Sequence, residues 1–157
     1  MKPQASFLII AVALVASTPS LADNFPKKGE AEYDTYYVSK NLATIESAGA
    51  VGAVDELTGI TRNVKTEAPF NDMSVRCLMH WTLISEKWDG HGSCIETDKD
   101  GDQVFTTFDG DAHYLIGGTG KYKGITGKAP YTVSNLHDLV GGGSALVVNH
   151  KVSWDIK

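Results

Sequence analysis

After residue 22 the chain alternates apolar or β-branched residues with polar ones over short runs, and Gly, Asp, Asn and Pro separate these runs. The alternation has the period of a β-strand, and no stretch of useful length keeps the period of an amphipathic helix. Eight or nine antiparallel strands at this spacing predict an all-β domain, either a barrel or a sandwich. The predicted strands cover residues 31–39, 42–54, 57–65, 73–85, 88–97, 103–108, 112–116, 129–134 and 144–156.

Turn-forming residues predict how these strands are connected. Asp55-Glu56 is expected to separate the second strand from the third, and residues 66–72, which include a proline, are expected to form a loop. The Asp-Gly dipeptides at 100–101 and 109–110 are two-residue hairpin signals. A further loop is predicted over residues 136–143, which contain three consecutive glycines.

Five glycines fall between residues 117 and 127. They do not form a phosphate-binding P-loop, because Leu115 or Tyr122 stands where its first glycine is needed, and the dinucleotide fingerprint fails at its third glycine. No nucleotide or other cofactor is therefore expected. The glycines predict a bend with a bulge between two strands, with at least one of Gly118, Gly120 and Gly124 at positive φ. The glycines of this structural loop are Gly117, Gly118, Gly120, Gly124 and Gly127.

The order Gly-Gly-Thr-Gly-Lys, then an aromatic residue and a further glycine, resembles a segment of dirigent proteins and of the wider group of allene oxide cyclase-like barrels. This resemblance implies an eight-stranded antiparallel β-barrel. Such barrels are often trimeric, so a homo-oligomer is an open expectation. Some of them cyclise or couple small apolar molecules. No residue of this chain matches the catalytic acids of those families, so no catalytic residue is assigned.

Residues 1–22 have the features of a secretory signal peptide. Lys2 supplies the positive start, residues 7–16 are continuously apolar, and Ser-Leu-Ala at 20–22 fits a cleavage site. The apolar run is shorter than the roughly 20 residues that a transmembrane helix needs. We therefore expect cleavage after residue 22 and export to the periplasm or the medium, which leaves residues 23–157 as a single β-barrel domain.

The charge of the mature chain excludes two classes of partner. Because Lys2 is the only charged residue of the signal, the mature chain keeps 13 basic and 19 acidic residues, a net charge of −6. An acidic chain without a basic run is a poor ligand for nucleic acid. For the same reason we expect no binding to anionic membrane surfaces after cleavage.

Two cysteines in an exported chain predict one disulfide, with two buried thiols as the alternative. If Cys77 and Cys94 face each other in consecutive strands, the turn between them centres on residues 85–86 and Trp81 lies opposite Gly90. Large side chains then cover glycines across the strand pair, which stabilises glycine in a sheet. This face is apolar and is expected to belong to the core.

The same register places His80 directly opposite His91 on the other face, with Arg76 nearby. That face is either a solvated or subunit-facing surface or the polar end of a ligand pocket. We predict Arg76, His80 and His91 as ligand-binding residues. No metal site is predicted, because two histidines fall short of a closed site and residues 98–102 fit a hairpin turn better than a calcium loop.

Three functions are compatible with the sequence. The first is an exported barrel, itself no enzyme, that binds a small, partly apolar molecule. The second is a cyclase or isomerase that needs no cofactor, and the third is a structural or interaction protein whose barrel is filled by side chains. An open cavity would separate the first two from the third.

Overall fold

The computed structural model describes residues 25–63, 65, 69–140 and 142–157, so the predicted signal peptide lies outside the described residues. These residues form a closed barrel of eight antiparallel strands in which each strand pairs with its neighbour in the sequence and β1 pairs with β8. The predicted all-β barrel is confirmed. The elements are β1 Lys28–Ser47, β2 Ala50–Arg62, β3 Ser74–Ile84, β4 Lys87–Thr97, β5 Gln103–Phe108, β6 Ala112–Gly118, a 3₁₀ turn Gly120–Tyr122, β7 Ile125–Asp138 and β8 Ser144–Ile156.

The predicted turn at Asp55-Glu56 is wrong, because both residues lie within β2. The chain turns earlier, where Gly49 has a φ of 78° that a side chain would make unfavourable. The two acidic residues are accommodated in the strand because each has a partner. Asp55 accepts a hydrogen bond of 2.7 Å from the Trp81 indole, and Glu56 accepts one of 2.6 Å from Arg76.

The predicted strand over 129–134 is too short. β7 continues to Asp138, and β8 begins at Ser144. Polar residues near the end of β7 concealed this extension, since they break the apolar alternation without ending the pairing with β8. A register shift between Asn135 and His137 accommodates them.

Both predicted hairpins are present, but their turns are longer than two residues, because residues 98–102 join β4 to β5 and residues 109–111 join β5 to β6. Gly101 has a φ of 86°, and the backbone N–H of Asp98 donates to the Asp102 carbonyl across this turn at 3.0 Å. The second Asp-Gly pair closes through the N–H of Asp109 and the carbonyl of Ala112 at 3.2 Å. Residues 85–86 form the β3–β4 turn, and both have positive φ.

The predicted disulfide is confirmed, with Cys77 and Cys94 directly opposite each other and their Cα atoms 4.0 Å apart. Trp81 lies opposite Gly90 in the predicted register, but it is not the side chain that covers that glycine. The Trp88 ring folds over Gly90, and any Cβ at that position would collide with it. The face that carries the cysteines points into the barrel, where both are buried.

The glycine loop forms the expected bend. Gly120 and Gly124 have φ values of 50° and 81°, and the β5–β6 register shifts after Phe105, which makes the bulge. The loop is attached to the β4–β5 turn by Lys121, whose Nζ lies 2.6 Å from an Asp98 carboxylate oxygen. Within the described ranges, no helix is long and apolar enough to cross a bilayer.

Gly120→Val is expected to lower the free energy of unfolding by about 2 kcal/mol or more, because the residue has positive φ and its Cβ would collide with the Asp102 carboxylate. Gly110→Val is the matched control, since no atom lies within 4 Å of the Cβ it would add. Chemical denaturation of both variants measures the difference. Equal stability of the two variants would contradict this role for the loop.

Candidate ligand cavity

The two ends of the barrel interior differ. At one end aromatic rings close the barrel: Phe25 packs against Tyr122 and Trp154, with ring centroids 4.8 and 5.6 Å apart, and Phe70 packs edge-on against Trp154 at 5.3 Å. The indole N–H of Trp154 donates to the Pro26 carbonyl at 2.9 Å. The buried side chains of this half form one hydrophobic cluster around these rings.

A cavity of about 130 Å³ lies at the other end, where the β1–β2, β3–β4, β5–β6 and β7–β8 connections lie. Its wall is almost entirely apolar, and an apolar cavity of this size can hold a molecule about as large as benzene. No Lys, Arg, Asp or Glu is among the residues that line it, which are Tyr37, Leu57, Cys77, Met79, Trp88, Phe108, His113, Tyr131, Val133, Leu146 and Val148.

Aromatic and imidazole rings form the floor of the cavity. The register pairs His113 of β6 with Phe108 of β5, and their rings stack with centroids 4.8 Å apart. Tyr131 meets His113 edge-on at 5.3 Å, and its hydroxyl donates to the Asp109 carbonyl at 2.6 Å. His150 lies behind His113 at 4.7 Å. The orientation of His113 is thus set by rings on three sides.

The polar groups at the cavity are neutral near pH 7. Burial lowers the pKa of His113 to about 4, and its Nδ1 has no hydrogen-bond partner among the described residues. The pKa of Tyr37 is raised, first by burial and then by the nearby Glu96 carboxylate, and burial also raises the pKa of Tyr131. The groups that line the cavity therefore carry no charge near pH 7.

The rim of the cavity carries large apolar side chains that are open to solvent. Trp88 and Val133 are 48% and 52% exposed although both line the cavity. Leu83, at the end of β3, is 38% exposed on the same face as Met79. Exposed apolar surface next to a cavity is typical of a ligand entrance.

A buried carboxyl lies deeper in the barrel and does not line the cavity. Glu96 is 3% exposed, and its Oε2 has no hydrogen-bond partner in the described part of the chain. Burial raises its pKa to about 7. The pKa of His150 is lowered by burial and, to a lesser degree, by His113. The barrel thus holds ionisable groups whose charged forms are unfavourable.

The predicted site residues lie on the outer face of β3 and β4. His80 and His91 are opposite each other as expected, and their rings stack with centroids 5.5 Å apart. Arg76 is paired with Glu56 on the same face. The alternative in which Arg76, His80 and His91 line a pocket inside the barrel is therefore wrong, because the opposite face, which carries the cysteines, points inward. That they bind a ligand stays a prediction, and it now concerns the outer surface.

The structure describes no group of three or more His, Cys, Asp or Glu side chains that could hold a metal ion between residues 25 and 157, outside the few undescribed positions. In the acidic turn that resembled a calcium loop, Lys121 occupies the place of a cation. Its Nζ lies 2.6 Å from Asp98 and 3.0 Å from Asp100. Hydrogen bonds from Lys99 and then from Lys121 lower the pKa of Asp100. The hairpin interpretation of this segment is confirmed.

The fold matches solved structures of dirigent proteins. The pterocarpan synthase dirigent protein GePTS1 superimposes with a TM-score of 0.51 and 14% sequence identity, over 90% of this chain and 99% of that one. The pterocarpan synthase dirigent protein PsPTS1 gives a TM-score of 0.53 and 14% identity, over 85% of this chain and 99% of that one. This protein therefore has a dirigent-like barrel fold. No family model and no curated protein sequence matches the chain.

Proposed function

We propose that this protein is an exported barrel that binds a small, neutral, mostly apolar molecule in the cavity at its open end. One observation carries the proposal: an apolar cavity open to solvent contains a fixed, uncharged imidazole whose Nδ1 lacks a partner among the described residues. A ligand that buries its apolar part and supplies one hydrogen-bonding group to His113 satisfies both features. The disulfide and the signal-like N-terminus support export.

Binding of benzyl alcohol, compared with the equally sized ethylbenzene, tests the proposal. Both probes should quench the fluorescence of Trp88 at the rim. His113→Phe keeps the ring and removes the nitrogen atoms, so it should weaken the binding of benzyl alcohol by the roughly 2- to 10-fold that one hydrogen bond contributes and should not weaken the binding of ethylbenzene. Absence of binding of either probe to the wild type would overturn the proposal.

Blocking the entrance gives an independent prediction. Val133→Trp enlarges a side chain that lines the cavity and is expected to weaken the binding of both probes at least about tenfold, since the added ring occupies the ligand volume. Thr132→Trp is the matched control because Thr132 is exposed and adjacent in β7, and strand alternation directs it to the outer face. Equal binding by the two variants would place the ligand elsewhere.

A cyclase or isomerase is the second candidate, favoured by the fold shared with proteins described as pterocarpan synthases and by the buried Glu96. General acid–base catalysis works best with a pKa near the working pH. Glu96 meets this condition but does not line the cavity, whereas the groups that do line it have pKa values shifted away from 7. These shifts favour binding over proton transfer. Conversion of a bound molecule by the wild type, but not by Glu96→Gln, would favour the enzyme.

The third candidate function, a structural or interaction protein whose barrel is filled by side chains, describes only half of the barrel. The aromatic end is packed, but the open end is not, so a purely structural barrel leaves the cavity unexplained.

Self-association is a further part of the proposal. Large apolar side chains on the outer face of β1 to β4 are each at least 38% exposed, and such patches are typical of subunit contacts; they are Tyr36, Val38, Ile60, Leu78 and Ile95. Sedimentation equilibrium of the wild type and Leu78→Lys tests this.

A further inference from the structure

We propose that His80 and His91 form a surface site for a divalent transition-metal ion such as Zn²⁺, Ni²⁺ or Cu²⁺, with Asp89 orienting His91. This site lies outside the barrel and is separate from the cavity, so it goes beyond the proposed function. Neutral imidazole is a good ligand for these ions, and two imidazoles held at a fixed separation act as a chelate.

The spacing of the two rings suits one shared ion. The histidines are direct partners across β3 and β4, and their ring centroids are 5.5 Å apart with an angle of 20° between the planes. A tetrahedral ion with Zn–N bonds of about 2.1 Å places two imidazole centroids about 5 Å apart. The side chains therefore need only rotate to converge on an ion, and the backbone can stay where it is.

The backbone beneath the pair is held in place covalently. The disulfide joins the same two strands three positions away, between Cys77 and Cys94, and so fixes the register that makes the histidines face each other. A slip by one residue would separate them, because it would move one ring to the other face of the sheet. Preorganisation of this kind lowers the entropic cost of bringing two ligands together.

A carboxylate completes the arrangement. Asp89 Oδ1 lies 3.2 Å from His91 Nε2, where it can accept the N–H and leave the lone pair on Nδ1. A carboxylate hydrogen-bonded to the far nitrogen is the usual second partner of a metal-binding histidine. The His91 side chain is 47% exposed, so an ion reaches it from solvent. Since only two imidazoles coordinate, water or an incoming molecule takes the remaining positions.

The other histidines give internal controls. His113 and His150 are 6% and 1% exposed and are not accessible to an ion from solvent. His137 is exposed on β7 and has no histidine opposite it, because its register partner is Ala145. Ion binding that requires a pair of imidazoles is therefore expected to depend on His80 and His91 and not on His137.

Calorimetric titration of ZnCl₂ into the purified, oxidised protein without a histidine tag tests the site. The wild type and His137→Asn should bind one ion per chain with the same affinity. Replacing the hydrogen-bond partner of a metal-binding histidine typically weakens metal binding 10- to 100-fold, so Asp89→Asn should weaken Zn²⁺ binding by an amount within that range. His80→Asn and His91→Asn each remove a ligand and should weaken Zn²⁺ binding by more. With Cu²⁺, electron paramagnetic resonance of the wild type should show coupling to two imidazole nitrogens, and His80→Asn should show one.

Failure of the wild type to bind Zn²⁺ or Cu²⁺ would overturn the proposal. Binding that is unchanged in His80→Asn and His91→Asn, or lost in His137→Asn, would overturn it as well. Circular dichroism of the variants before titration distinguishes a lost ligand from a lost fold. None of these three histidines is buried, so their replacement should leave the melting temperature within about 2 °C of the wild type.

Discussion

Between pH 4 and pH 8 the free energy of unfolding of Glu96→Gln is expected to rise by about 3 kcal/mol relative to that of the wild type, because the wild type loses the contribution of Glu96 over this range. The cause is burial, which raises the pKa of Glu96 from 4.5 to about 7. Above pH 4.5 the unfolded chain has released this proton while the folded protein still holds it. Stability from this group is thus complete below pH 4.5 and is lost as the pH rises to about 7.

The buried histidines have the opposite dependence. Burial lowers the pKa of His113 from 6.5 to about 4 and that of His150 well below its ordinary value. The unfolded chain therefore binds protons that the folded protein does not, and stability falls as the pH drops below 6.5. The wild type should be most stable near pH 6.5, because the histidines lower the free energy of unfolding below this pH and Glu96 lowers it above this pH. Glu96→Gln should instead keep a constant free energy of unfolding above pH 6.5.

Urea denaturation at pH 4, 5, 6, 7 and 8 measures both curves, and Glu30→Gln is the matched control because Glu30 is exposed. The control should follow the wild type. A constant difference between Glu96→Gln and the wild type at every pH would show that Glu96 does not have a raised pKa in the folded protein.

Replacing both cysteines by alanine should destabilise the barrel by about 3 kcal/mol and lower its melting temperature by about 10 °C. The bond joins residues 17 positions apart, so it restricts the unfolded chain substantially. Both cysteines are buried, and the Tyr37 hydroxyl lies 3.7 Å from Cys77 Sγ, so some packing is lost as well.

Reductant supplies the control for this prediction. Dithiothreitol should lower the melting temperature of the wild type toward that of the Cys77→Ala/Cys94→Ala variant and leave the variant unchanged. A wild type that is insensitive to reductant while its thiols become reactive would show that the bond contributes little to stability.

The sequence predicted the strand pairs that a local signal specifies. The cysteine pair fixed the β3–β4 register, and through it the juxtaposition of His80 and His91. Asp-Gly turns identified two further hairpins. The β1–β2 hairpin was predicted wrongly because Asp55 and Glu56 look like turn residues, whereas their partners on β3 allow them to remain in a strand.

The site could be predicted only in part. Glu96 lies two residues after Cys94, so strand alternation already placed it on the same face as the cysteines, and a buried carboxyl followed if that face was the core. The Asp-Gly turn predicted the β5–β6 hairpin, but no signal indicated which face of β6 lies inside the barrel, so the inward position of His113 could not be predicted. The inward direction of the cysteine face was also open, since both faces of β3 and β4 carry apolar residues and barrel closure alone decides between them.

Native mass spectrometry of the protein purified from its own host tests the central claim most directly, because it detects a molecule retained in the cavity whatever the chemical identity of that molecule. The wild type and Thr132→Trp should each carry one additional small neutral molecule per chain, and Val133→Trp should not. The same molecule retained by Val133→Trp, or wild-type protein that is free of any ligand and binds neither benzyl alcohol nor ethylbenzene, would contradict a ligand site at the open end of the barrel.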